Sequence, residues 1–365
     1  MLKEIGSDFW ISPEDLKGLG VSSKVSLSTQ EGCQDQVWLS TGRSAIKLAL
    51  SQTKVAKRGR KVALVPAYTC ETVLQPFIEM QYELKFYDID ASLRTSSETL
   101  IGLLGRVRAD VFFFHHYFGF NTISGIEAVI DFAREHNIVT IEDCTQSMYS
   151  SFVKSSADYH VGSIRKWCGV ADGAYLISKD SAIEWKPRQY DKSLEQAQLQ
   201  ASLAKYRYIV EEVGEKEDFL NQYRRSKEIL ELQREPYAIS PLSIHIQRTL
   251  DLDELKGKRH ANYALLLNGK CWSEHIYPIL QNLTEEVVPL YFPIWVADRS
   301  SLQKYLASHA VYAPVIWPKP ECCTTFSQDT EELYQHMLCI PIDQRYSGEE
   351  MKYVIKTISS YDERS

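Results

Sequence analysis

The sequence predicts an α/β protein built on a mostly parallel central sheet with helices on both faces, followed by a smaller C-terminal α+β domain. Three observations carry that prediction. Short apolar runs alternate with helix-like stretches through the first half of the chain, the runs end in residues able to do chemistry, and the order of elements changes beyond residue 235. Alternation of this kind builds parallel sheets covered by helices, and ligands of such sheets gather at the carboxyl ends of the strands. At 365 residues the chain exceeds what one core usually serves. Two domains are therefore expected, residues 1–235 and 236–365.

Taken in order, KVALVPAYTC (61–70) reads as a buried strand broken by Pro66, YELKFYDID (82–90) as an alternating strand and ADVFFFHHYFG (109–119) as another. Helix-like segments lie between and around them at Ser44–Leu50, Glu71–Met80 and Ile126–His136. IVTIEDCTQS (138–147) gives a strand ending in Glu142 and Asp143, and GAYLIS (173–178) gives one more. From Ala182 to Arg234 long charged side chains dominate, which predicts one or two solvent-facing helices. REPYAISP (234–241), with two prolines in eight residues, is the expected domain boundary. Beyond it come a helical stretch (Ile244–Leu267), an extended segment (287–296), a helix (Ser300–Ser308), a second extended segment (311–318) and a final helix after Ser347.

Lys and Arg total 41 against 48 Asp and Glu, a net charge of −7, so the basic footprint of a nucleic-acid binder is missing. The most apolar run, Val111–Phe120, is about half a membrane span long and is interrupted by His115 and His116, so no membrane-spanning segment is expected. The start, MLKEIGSDFW, lacks a leader-like apolar stretch. Eight cysteines without a C-x-x-C pair read as reduced thiols, and the expected compartment is the cytoplasm.

The dinucleotide-binding, P-loop, zinc-protease and nucleophile-elbow signatures are all absent. Four local features remain. In LSTGRSAIKLALS, from 39, a turn runs straight into a helix: its open N–H groups and dipole make an anion site, where Gly42 lets a phosphate approach, or else Ser and Thr simply cap the helix. In IEDCTQS, Asp143 stands where a protonated ring nitrogen could be paired, with Gln146 one turn on, or else Asp143 caps the next helix. In SIRKWCGVADGAY, Lys166 follows Ser163 by three residues: a lysine in a pocket can form a Schiff base with a carbonyl, whereas most lysines are solvated surface charges. Finally, Tyr68, Thr69, His115, His116 and Tyr117 are expected to line one strand-end crevice. Adjacent histidines on a strand point to opposite faces, which argues against a shared metal and for a core role for one of them. No metal site is expected.

The order of these features resembles the fold-type I pyridoxal 5'-phosphate enzymes, and specifically the DegT/DnrJ/EryC1/StrS aminotransferase family. The G-T-x-A-L turn of that family matches Gly42 to Ile46, its P-x-[FY]-T segment Pro66 to Thr69, its H-x-[YF]-G segment His116 to Gly119, and its E-D-A-A-Q segment Glu142 to Gln146. The Schiff-base lysine matches Lys166, and the G-E-G-G-like turn after it matches Ala171 to Ala174. RHANYALLL and LCIPIDQRY look like the family's second domain. The chain departs from the pattern at Cys70, where an aromatic usually stacks on the cofactor, at Val161, where a serine is often found, and in the Ala-Asp-Gly-Ala turn.

The resemblance implies a cofactor, pyridoxal 5'-phosphate, and roles for named residues. Lys166 and Asp143 are the expected catalytic pair: Lys166 holds the cofactor and moves a proton, and Asp143 keeps the pyridine nitrogen protonated. Gly42, Arg43, Ser44 and Ser163 are expected at the phosphate, Gln146 at the ring or its phenolic oxygen, and Tyr68 over the ring face. His116 and Arg345 are expected at substrate, Arg345 either binding a donor carboxylate bidentately or forming a salt bridge. The implied activity is amino transfer from an amino acid such as glutamate to a keto sugar or related carbonyl compound, in a homodimer. A lyase, dehydratase or decarboxylase on the same fold, and a catalytically inactive binding protein, are the alternatives. Lys166 itself argues against the family's sugar 3-dehydratases, which carry His there.

Overall fold

The computed structural model describes residues 4–19, 33–54, 59–152, 155–233, 235–323 and 327–362. The chain forms two compact units that interleave in sequence: Met1–Ser7, Lys57–Ser156 and Leu252–Ser365 make the first, Asp8–Ala56 and Ala157–Asp251 the second. The boundary expected at 235/236 falls inside the second unit.

In the first unit four strands, Val139–Asp143, Val111–His115, Val62–Pro66 and Glu83–Tyr87, run side by side and all parallel. Every residue of Val62–Pro66 and Val111–His115 is buried, which explains why both read as unbroken apolar runs. Helices Glu71–Glu79, Ser97–Val107 and Ile126–Glu135 follow strands of this sheet in the alternating order expected. Ser97–Val107 starts where Ser96 accepts a hydrogen bond from Thr99 N at 3.3 Å. The same unit carries an antiparallel sheet of Ile276–Pro278, Phe292–Val296 and Met337–Ile340, with helices Leu252–Leu267, Arg299–Ser308, Gln328–His336 and Gly348–Asp362. Of these, Leu252–Leu267, Phe292–Val296, Arg299–Ser308 and Gly348–Asp362 fall in segments expected from the sequence, whereas Ile276–Pro278, Gln328–His336 and Met337–Ile340 were not foreseen.

In the second unit, Ala174–Ser178 pairs with Asp35–Leu39 on one side and Tyr159–Ser163 on the other, both antiparallel. The parallel pattern therefore does not extend to the GAYLIS strand. Neither of its neighbours stands out in sequence, because DQVWL and YHVGS mix polar residues into five-residue strands. The charged segment after Ala182 gives helices Lys192–Tyr206 and Lys216–Leu232, which are more than solvated rods. They bury Ala201, Phe219 and Tyr223 against each other. Lys205, only 1% exposed, donates to Asp8 O and lies 5.8 Å from the Trp10 ring centre, so its apolar stem is spent in packing and its charge on a carbonyl. Among the described residues no helix is long and apolar enough to cross a membrane.

Candidate active site

The first unit gathers expected site residues at the carboxyl ends of its parallel strands. Asp143 ends Val139–Asp143, is 8% exposed, and accepts a hydrogen bond from Thr145 N at 2.8 Å, so it caps the turn Cys144–Gln146 while standing at a strand end. Glu142, the other half of the acidic pair, is fully buried and accepts from Ser155 Oγ. Gln146 Oε1 accepts from Phe118 N at 2.7 Å and thereby holds the loop in which Phe118 adopts φ 53°. Among the described residues its amide nitrogen has no partner. Gly119 follows with φ +93°; a Cβ there would lie 2.1 Å from Val288 O, so only glycine fits.

His116 is buried, and its Nδ1 accepts from Thr122 N at 3.2 Å, which puts the proton of the neutral ring on Nε2. Burial pushes its pKa down, with Glu142 opposing. Its observed work is to fix the 117–122 loop, a positioning role. Tyr68, 1% exposed, sits among the rings of Tyr334 (4.6 Å), Trp317 (5.1 Å) and Tyr117 (5.8 Å). Tyr117 donates to Tyr68 O at 2.7 Å, and Tyr334 donates to Ala67 O at 2.9 Å while accepting from Thr69 N at 3.1 Å. Trp317 and Tyr334 were not foreseen, since nothing local in VIWP or EELYQH ties them to residues some 250 positions earlier.

His115 belongs to the same cluster. It is 3% exposed, its ring lies 4.6 Å from that of Tyr117 and 5.5 Å from that of Trp317, and it stands opposite Asp143 in the strand register.

The second unit gathers another set at one end of its antiparallel ladder. Thr41 caps helix Gly42–Gln52: its Oγ1 accepts from Ser44 N at 3.1 Å and its O from Ala45 N at 3.1 Å, leaving the Gly42 amide unpaired among the described residues. The capping reading of this turn thus holds together with an open N–H at the helix start. Ser163 ends Tyr159–Ser163, opposite Ala174, which pairs across with Leu39. A Cβ on Gly42 would touch Ser163 Cβ at 3.7 Å, so these two positions adjoin. Ser163 Oγ donates to Gly173 O at 3.3 Å, and Gly173 N to Ser40 O at 2.8 Å.

Lys166 ends the short turn Ile164–Lys166 just beyond Ser163, with the fully buried Trp167 anchoring the next position. Its side chain is exposed, and among the described residues it has neither a hydrogen bond nor an ion pair. Asp172 of the turn that follows is buried and accepts from Ser240 N at 3.1 Å and Ser240 Oγ at 2.8 Å; burial raises its pKa in spite of those bonds. The turn is thus a brace for helix Pro241–Thr249.

Two arginine expectations are corrected. Arg43 Nη2 donates to Leu230 O at 2.9 Å and caps the end of Lys216–Leu232, so that donor is spent on a carbonyl. Arg345 grips Asp343 with two bonds, 2.7 Å from Nε to Oδ1 and 2.9 Å from Nη2 to Oδ2, and also reaches Ser7 O at 3.2 Å. The salt-bridge reading of Arg345 holds.

The profile of the DegT/DnrJ/EryC1/StrS aminotransferase family matches residues 27–171. No curated protein matches the chain. Solved structures similar to it include PseC of Helicobacter pylori, an aminotransferase of pseudoaminic acid biosynthesis, at 13% identity and TM-score 0.72 over 100% of both chains. The sugar aminotransferase CalS13 of Micromonospora echinospora is similar at 15% identity and TM-score 0.65 over 98% of this chain and 99% of that one. The GDP-4-keto-6-deoxy-D-mannose-3-dehydratase of E. coli, solved with bound hydrated pyridoxal phosphate, is similar at 14% identity and TM-score 0.63 over 90% and 88%. Such identities establish the fold, that of fold-type I aminotransferases. The DegT-family match covers Gly42, Asp143, Gln146, Ser163 and Lys166, and leaves Trp317, Tyr334 and Arg345 outside it.

Proposed function

We propose that the chain uses pyridoxal 5'-phosphate to move an amino group from an amino acid, glutamate in our reading, to a keto sugar or related carbonyl compound, as a homodimer in the cytoplasm. The family is one of aminotransferases, and its members use this cofactor. The observation that carries the reading is Lys166: an exposed lysine without a hydrogen-bond or ion-pair partner among the described residues, just beyond Ser163, at the ladder end where the Gly42 amide opens.

The residues present fit the cofactor. An unpaired helix-start amide beside Ser163 suits a phosphate, and a strand-end carboxylate suits a ring cation. When bound, the cofactor supplies a carbonyl for Lys166 and an electron-withdrawing ring. In this reading Gly42, Ser44 and Ser163 bind the phosphate. Asp143 keeps a proton on the pyridine nitrogen, and Gln146, whose oxygen is taken by Phe118, offers its N–H₂ to the ring oxygen. Lys166, once released from the cofactor, moves the proton at the substrate's α-carbon. Tyr68 closes the site with its neighbouring rings.

Because the fold also hosts a dehydratase, the reaction has to be read from products. Purified protein incubated with the cofactor, reduced with borohydride and mapped by mass spectrometry should carry the label on Lys166, and Lys166→Ala should carry none. Glutamate should then convert the bound cofactor stoichiometrically and release 2-oxoglutarate. A label elsewhere, or no 2-oxoglutarate with any keto acceptor, would overturn the reading.

A further inference from the structure

His115 ends a strand of apolar rings, Phe112, Phe113 and Phe114, where a fourth phenylalanine would pack equally well. The chain instead buries an imidazole to 3% exposure, and among the described residues neither ring nitrogen has a hydrogen-bond partner. Folded proteins seldom leave buried nitrogens so, and each such case asks for an absent partner. Two hydroxyls of the cluster are already used, that of Tyr117 on Tyr68 O and that of Tyr334 on Ala67 O. His115 also stands in register with Asp143 on the neighbouring parallel strand, so both side chains leave the sheet on one face at its carboxyl edge. Burial, assisted by the His116 ring and opposed by the His116 backbone, pushes the imidazole pKa down to about 3, so the ring is neutral and keeps one donor and one acceptor at working pH.

We infer that His115 is a cofactor-binding residue: the neutral imidazole takes its missing hydrogen bond from pyridoxal phosphate held at the strand edge it shares with Asp143. The inference rests on the function proposed above. It accounts for a polar ring in an apolar cluster and gives the edge a contact that the departure at Cys70 does not supply.

Two variants of the full-length protein separate this role from packing. His115→Phe keeps a ring in the cluster and removes the orphaned nitrogens; His115→Gln keeps an N–H and an acceptor. Cofactor dissociation constants come from absorbance titration, and melting temperatures are taken with and without cofactor. Expected for His115→Phe are a melting temperature without cofactor at or above wild type, a dissociation constant raised about tenfold, and a smaller cofactor-induced thermal shift. His115→Gln should stay within about threefold of wild type. Wild-type affinity and thermal shift in His115→Phe would overturn the inference, as would equal losses in both variants accompanied by lower stability without cofactor. Both of those outcomes leave the Lys166 label in place. A wild-type protein that takes no label at Lys166 would instead overturn the proposed function, and this inference with it.

Discussion

Asp343 keeps its charge in a buried setting because Arg345 grips it: burial alone would raise the carboxyl, and the guanidinium more than offsets that, holding the pKa below the ordinary range. Both side chains are less than a tenth exposed, so the pair is little screened. A carboxyl whose folded pKa lies below its unfolded value of ~3.9 contributes stability that is complete above that value and lost as pH falls through the folded one. Removing only the cation leaves a buried carboxylate unpaired, a change costing ~3–5 kcal/mol. Arg345→Leu should therefore lose about that much in urea unfolding at neutral pH. In the variant only Arg259 and the backbone N–H at position 345 remain to oppose burial, so the carboxyl's pKa rises and the deficit should shrink as pH falls from neutral toward ~4. A deficit that stays constant over that range would show that the arginine acts through packing alone. The same pair explains why the sequence left Arg345 ambiguous: Asp343 stands two residues away, and only burial distinguishes a fixed pair from a free ligand of substrate.

At the scale of elements, legibility followed burial. Val62–Pro66 and Val111–His115 could be read directly, because strands covered on both faces become apolar runs, and Val111–His115 and Val139–Asp143 end in polar residues at the carboxyl edge. Asp35–Leu39 and Tyr159–Ser163 could not, since partial exposure in the first and His160 and Gly162 in the second break any such run. The Gly42 turn, Asp143, Gln146 and Lys166 could be singled out from sequence because each sits in a local motif. Trp317 and Tyr334 were not, because a ring cluster drawn from distant segments leaves no local pattern. The loop joining these parts is set by Gly119, whose φ of +93° and 2.1 Å Cβ clearance to Val288 O exclude any side chain. Gly119→Ala should cost ~1–3 kcal/mol from backbone strain alone, and more because the clash is with backbone. Displacing the loop also loosens the Phe118–Gln146 bond, so amide exchange at Phe118 should quicken well beyond the global loss. Uniform exchange changes across the protein would show that Gly119 matters only to global stability.

For the whole molecule, two interleaved units replaced the expected division at residue 235, because segments on both sides of that point return to the first unit. Sequence order suggests successive domains by default, whereas the strand pairings follow burial. No covalent link reinforces either unit: all eight cysteines are free thiols, five of the eight buried and Cys322 exposed. Cys322 and Cys323 approach to 4.0 Å without bonding, and burial and Cys322 push the Cys323 thiol up to about 12, so Cys323 is protonated and slow to react. Stability must then come from packing such as the Val111–His115 core, and reductant should not change it. Expected is an unchanged melting temperature with and without dithiothreitol, and eight titratable thiols in denaturant without prior reduction. In the native protein Cys322 should react first, the half-buried Cys33 and Cys70 more slowly, and the five buried thiols only as fast as the fold opens. Fewer than eight thiols in unreduced, denatured protein would mean a cross-link forms that this arrangement of side chains does not contain.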